Sequence, residues 1–265
     1  MRRLLNPVIL AAVVVLSAGA YVGAQTDFNW NGQLSPGQSI EIKGINGEIR
    51  AMAGGGSDVV VTAVKSARRS NPSEVRFETV SHAGGVTVCA VYPSPAGEPA
   101  NECKAGGGGR SSSRDNDTVV DFTVRVPAGI NFIARTVNGS VDADGLQGAV
   151  EGYTVNGSVK VTTTGSVRAN TVNGSIDAAM GRTDSSSGAV FKTVNGEITL
   201  RLPASVNADV HLSSVNGRIR SDFPLTVTGL LEPGSGPRRL DGTLGNGGQK
   251  LDASTVNGGV SLLKR

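Results

Sequence analysis

The chain has 265 residues and a formal net charge of +3 at pH 7. With 37 glycines, aromatics at 4% and charged residues at 18%, it has few large side chains with which to fill a wide core. An apolar fraction of 38% is too high for a disordered chain, and no Gly-X-Y period runs through it, so disorder and a collagen-like rod are both excluded.

Residues 1–24 read as a secretory signal peptide. Arg2 and Arg3 form the positive n-region, Val8 to Leu16 an uncharged apolar h-region, and Val22-Gly23-Ala24 the small residues before cleavage. Cleavage is expected after Ala24, with Ala18-Gly19-Ala20 as a second site. The alternative is an uncleaved anchor, but the apolar run falls short of the ~20 residues a spanning helix needs. No cysteine follows the h-region, so a lipid anchor is not expected. The arginine pair lacks the flanks of a twin-arginine signal. Losing Arg2 and Arg3, and no acid, takes the formal charge from +3 to +1. That withdraws the basic bias a nucleic-acid partner would need. No transmembrane segment is expected after cleavage.

Residues 25–265 read as one domain, because no linker divides them. The part up to residue 130 is strand-rich without a tight repeat. Strands are expected at Ser39–Lys43, Glu48–Met52, Asp58–Lys65, Val75–Val80, Val86–Tyr92 and Thr118–Val126. Ser66–Ser73 and the glycine-rich stretch from Gly106 to Asp117 read as polar loops. Cys89 and Cys103 are the only cysteines, and an oxidising compartment would pair them. A redox or metal pair would want CxxC spacing and a nearby histidine, and has neither.

The remainder, residues 131–265, repeats itself. Thr136-Val137-Asn138-Gly139-Ser140-Val141 recurs around Asn156, Asn173, Asn195, Asn216 and Asn257, and an outlying copy surrounds Asn46. The Asn-to-Asn steps from 138 are 18, 17, 22, 21 and 41 residues. A period near 20 marks a solenoid, and the double-length last step suggests a degenerate copy or an insertion. Asn-Gly between apolar residues is also a hairpin signal, but a two-residue hairpin would set apolar against polar in most copies. A continuing strand with a bend keeps the alternation. Val137, Gly139, Val141 and Ala143 then face inward, and Thr136, Asn138, Ser140 and Asp142 outward. Gly139 would give room to bend, and Asn138 tolerates a left-handed conformation. The seven asparagines read as repeat corners, and those on successive coils would stack as a ladder. Asp142, Lys160 and Asp177 would alternate in charge on adjacent rungs, as would Glu197 and Arg218. A second, weaker strand enters each corner, at Gly148–Glu151, Gly165–Arg168 and Gly188–Phe191. Gly234–Gly248 reads as a loop. The fold expected is an all-β, single-stranded parallel β-helix or solenoid with coils of about 17–22 residues, right-handed.

These repeated nG[SE][VI] units resemble the bacterial putative-adhesin family of exported, β-helix-like domains of unknown function. Ile42-Lys43-Gly44-Ile45-Asn46-Gly47-Glu48-Ile49, Val126-Pro127-Ala128-Gly129 and Leu202-Pro203-Ala204 fit the same resemblance, which spans roughly residues 26–263. It implies an exported solenoid with an adhesive or envelope role, and it supplies no catalytic residue.

No nucleophile elbow, P-loop or dinucleotide fingerprint is present. His82 and His211, the only histidines, sit outside any metal-ligand spacing. No catalytic, metal or cofactor site is therefore expected, and no cofactor. Ser185, Ser186 and Ser187 beside Asp184 read as a polar loop. Asp142, Asp144, Glu151, Asp177 and Asp184 could gather on one face as in a polysaccharide-active β-helix, but a solvated face is the simpler reading. One Asp per repeat is too few for calcium. Asn116, Asn138, Asn156 and Asn173 lie in N-x-[ST] sequons, where the last three are corner residues first. The expected function is that of a non-enzymatic envelope or surface protein, in the periplasm or on the cell surface. Its partner would be an envelope or extracellular protein or glycan. The alternatives are a self-assembling scaffold and a polysaccharide-active enzyme.

Overall fold

The computed structural model describes residues 27–183, 188–227 and 238–265. The signal-peptide segment and the serine run beside Asp184 lie outside the described residues. The N-terminal part contains β1 (Phe28–Gln33), β2 (Ser39–Lys43), β3 (Ile49–Ala53), β4 (Asp58–Ser66), β5 (Arg76–His82), β6 (Gly85–Val91) and β7 (Val119–Val126). The repeats follow as β8 (Asn131–Arg135), β9 (Val141–Leu146), β10 (Val150–Tyr153), β11 (Val159–Thr163), β12 (Val167–Asn170), β13 (Ile176–Ala179), β14 (Ala189–Lys192) and β15 (Ile198–Leu202). The chain ends with β16 (Ala208–Ser214), β17 (Ile219–Ser221), β18 (Thr226–Val227), β19 (Arg239–Leu244), β20 (Lys250–Thr255) and β21 (Val260–Lys264).

Two sheets result, one ordered β1-β4-β7-β3-β9-β11-β13-β15-β21-β17 and the other β18-β19-β16-β20-β14-β12-β10-β8-β2-β6-β5. Each Asn-Gly copy is the corner at which the chain leaves the second sheet and enters the first: β8 to β9, β10 to β11, β12 to β13, β14 to β15. Pairing between these coils is parallel. Antiparallel pairing is confined to the ends of the stack, at β1–β4–β7, β5–β6 and β16–β19–β18. The protein is thus all-β, with two large, mostly parallel sheets.

The strand alternation explains the core. Ile49, Val141, Val159, Ile176, Ile198 and Val260 fall in one register column, each paired with the next and buried between the sheets. Ile40, Phe132, Val150 and Val167 form the facing column. Gly152 is a glycine because a Cβ there would come within 2.7 Å of Val159 Cγ1. One core cluster runs from Ile40 to Leu262.

The outlying Asn46 copy is a coil of the same stack. β2 pairs with β8 and β3 with β9, although 92 residues separate Asn46 from Asn138. The intervening chain, together with β1, closes this end of the sandwich. Phe28 stacks on Phe77 at 4.6 Å between ring centroids, and Phe77 meets Phe122 edge-on at 5.9 Å.

Several expectations need correction. Of the two readings of the 41-residue step, the described residues show the insertion, which includes the antiparallel pair β18 and β19. After β15 the chain skips one coil position, lays down β16 and β17, and returns to insert β20 and β21 into the gap. Glu197 and Arg218 are therefore not on adjacent rungs, because the coil carrying Gly259 lies between them. The stretch read as a loop at Gly234–Gly248 contains β19, and β1 carried no strand expectation. The alternation also breaks at the corner. Thr136 is buried and Val137 is exposed, the reverse of the expected facing, and the same holds in later copies. Asn138 is not left-handed, since Asp115 is the one non-glycine with positive φ among the described residues.

Candidate binding surface

The corner is built by the closeness of successive coils, about 4.8 Å apart in a parallel stack. A Cβ on Gly139, Gly157, Gly174 or Gly196 would fall inside contact distance of a backbone carbonyl of the coil before it, so only glycine fits. The exposed carbonyls need donors, and the threonine supplies one. Thr154, Thr171 and Thr193 donate Oγ1–H to the carbonyls of Gly139, Gly157 and Gly174, each at 2.8 Å. Ser214 plays the same part toward Gly258 at 2.7 Å. This inward pull on the hydroxyl turns the neighbouring valine out to solvent.

The asparagines form one continuous line. Nδ2 of Asn138 donates to Oδ1 of Asn46 at 2.9 Å, and Asn156, Asn173 and Asn195 continue the chain at 2.8 Å. Asn257 donates to Asn195 at 2.7 Å and Asn216 to Asn257 at 2.9 Å. The spatial order therefore ends 195, 257, 216. Beside this amide line runs an apolar one. Val137, Val155, Val172, Val194 and Val256 are 37–39% exposed, and Val215 is 55% exposed. Among the described residues, Val64 alone joins them as an exposed large hydrophobic. Sequence reasoning placed these valines in the core. Their constant pairing with a buried threonine was the available signal.

Outside the corner, Lys160 stands in register between Asp142 and Asp177, with Arg50 beyond Asp142. Asp177 is engaged by Arg201. These carboxylates do not converge with Glu151, which lies on β10 in the other sheet, so the acidic residues do not gather on one face. Asp184 is outside the described residues. His82 contacts Thr87 near one end of the second sheet, and His211 binds Asp241 near the other. The His211 hydrogen bond, with help from Arg239, holds the Asp241 carboxyl below its ordinary range. Among the described residues, no group of three His, Cys, Asp or Glu side chains could hold a metal ion.

At the N-terminal end of the edge, a loop is fastened over the second sheet. Cys89 and Cys103 are joined by a disulfide, with Cα atoms 5.8 Å apart. Beneath the loop Glu41 is buried, a residue the sequence did not single out. It accepts from Arg135 Nε at 2.8 Å, Thr87 Oγ1 at 2.9 Å and the amide of Gly106 at 2.8 Å. Lys43 Nζ donates to the carbonyls of Lys104 and Gly108 at 2.7 and 2.8 Å, and burial lowers its pKa. The Arg135 guanidinium lies 4.1 Å from the Tyr153 ring centroid. Tyr92 donates to the carbonyl of Thr118 at 2.9 Å, and burial pushes its hydroxyl up to about 12.

This fold defines a class: all-β stacks of two-strand coils joined at Asn-Gly corners. Residues 108–263 match the family described as Toastrack DUF4097, and the chain belongs to that family. A search of curated proteins finds no match. Among solved structures, the chain is similar to a putative cell adhesion protein from Clostridium sporogenes, at 8% identity and a TM-score of 0.48, over 91% of this chain and 100% of that one. It is also similar to a putative adhesin from Bacteroides fragilis, at 12% identity and a TM-score of 0.37, over 92% and 98%.

Proposed function

We propose that the protein is an exported, non-enzymatic module that binds an envelope or extracellular partner, protein or glycan, through its corner edge. The exposed valine line carries this reading. An apolar side chain that faces solvent in six coils contributes little to the core, and continuous apolar exposure of this kind is the usual mark of an interaction surface. The asparagine amides alongside offer hydrogen bonds in the same repeat. The signal-like segment at residues 1–24 and the disulfide support export to the periplasm or the cell surface. The lack of any catalytic motif in the sequence supports a non-enzymatic role.

Protease shaving of intact cells tests the location. Loss of the protein places it on the surface, and protection until the outer membrane is opened places it in the periplasm. Triple substitution of Val155, Val172 and Val194 to Ser tests the edge. It should abolish retention on cells or isolated envelopes while leaving the thermal midpoint within a few degrees of wild type. Full retention would sink the edge as the binding surface, and turnover of an acidic glycan would sink the non-enzymatic reading. A self-assembling scaffold is less well supported. Among the described residues, three of the four edge strands, β1, β5 and β18, pair antiparallel with their one neighbour. The fourth, β17, is three residues long, carries exposed Arg220 and is preceded by exposed Arg218, which blunt strand addition.

A further inference from the structure

A cavity of about 180 Å³ lies where the fastened loop meets the first repeated corner. Cys89, Ala90, Val91 and Val137 give it apolar walls, and Lys43 and Arg135 share its lining. These two cations are direct neighbours in register on β2 and β8. Glu41 pairs with Arg135 from below, and the lining's one carboxylate, Glu102, is taken by Lys104 at 2.5 Å. Two buried-side cations thus share a single carboxylate. Their donors are not used up. Lys43 has three N–H groups and commits two to loop carbonyls. Arg135 commits Nε to Glu41, and its Nη groups have no protein acceptor among the described residues. The lowered pKa of Lys43, caused first by burial and opposed by Glu41, fits a cation short of counter-charge. An apolar chamber with unspent cationic donors on its wall is the arrangement that takes an anion carrying a compact apolar body.

We infer that this cavity binds a small ring-bearing carboxylate, the ring against Ala90, Val91 and Val137 and the carboxylate on the free donors of Lys43 and Arg135. The size agrees, since an apolar cavity of about 150 Å³ accommodates benzene. The site shares Val137 with the exposed valine line but does not rest on the adhesion reading.

The test is an NMR titration of the ¹⁵N-labelled protein with benzoate and with neutral benzamide. Benzoate should shift the amides of Val91, Gly109 and Val137 with a millimolar Kd, and benzamide should bind at least about tenfold more weakly. Val137→Trp should fill the chamber and weaken benzoate by about tenfold or more, whereas Val155→Trp, one coil away, should bind as wild type. Both positions are more than one-third exposed, and the thermal midpoint reports whether each variant is folded. Equal binding of benzoate and benzamide, shifts scattered away from the cavity, or no shift at millimolar benzoate would each overturn the proposal. The ligand comparison needs no variant, so it decides even if Val137→Trp does not fold.

Discussion

The repeat stack and the N-terminal end cap share one core but are held together differently. In the stack, each coil repeats the same few contacts: a corner glycine against a carbonyl, a threonine hydroxyl on that carbonyl, and an asparagine on an asparagine. In the cap each contact occurs once. The disulfide, the Glu41–Arg135 pair, the Tyr92 hydroxyl and the Phe28–Phe77–Phe122 cluster have no counterparts elsewhere among the described residues. Damage to the stack should therefore be graded and shared. Damage to the cap should be large and local.

The largest effect is expected from Arg135→Met. It leaves Glu41, whose side chain is only 3% exposed, without its cation, and should cost ~3–5 kcal/mol by denaturant melting. Converting Glu41 to Gln in the same chain should recover part of the loss. Replacing both cysteines by Ala removes a link across 14 residues and should cost about 3 kcal/mol. Hydrogen exchange should then speed up in β6 and the loop to β7 but not in β11 to β15. Spread into those strands would break the distinction between cap and stack.

Within the stack, Gly157→Ala drives a methyl into the Gly139 carbonyl and should cost ~1–3 kcal/mol or more. Gly55→Ala in the cap meets nothing within 4 Å and should stay within ~0.5 kcal/mol. Asn173→Ala removes two ladder hydrogen bonds and should cost ~1–2 kcal/mol, while Asn216→Ala at the end of the line removes one and should cost about half. Equal losses at both positions would mean that the ladder does not act rung by rung. The smallest effect is a pH dependence in the cap. Hydrogen bonds from Ser70, then Arg69, hold the Asp117 carboxyl at about 2, below its ordinary 3.8. A depressed carboxylate stabilises the fold fully above its unfolded pKa. That contribution should fade as pH falls from about 4 toward 2, and the Asp117→Asn variant should lack it in an acid titration.

Much of the stack was legible because its code is local. The six strands expected from alternation before residue 130 all form, within one or two residues of their expected ends. The corner strands were legible too, because Val141, Val159 and Ile176 keep a period of two. The facing of Thr136 and Val137 was not. Alternation holds only while the backbone stays extended, and the acceptor that draws in the hydroxyl belongs to another coil. Glu41 reads as an ordinary outward residue of β2, and only the loop fastened over it makes it buried.

By itself, then, the sequence determined the all-β class, the coil repeat, the glycine at each corner and the cysteine pair. Each depends on side-chain size and spacing within a few residues. Only the tertiary structure decided the order of the coils, with Asn257 inserted between Asn195 and Asn216, the return of Asn46 to the stack, and the cavity under the loop. Similar coils offer nearly equivalent pairing surfaces, so neighbour choice depends on contacts summed across the stack, which no single repeat encodes.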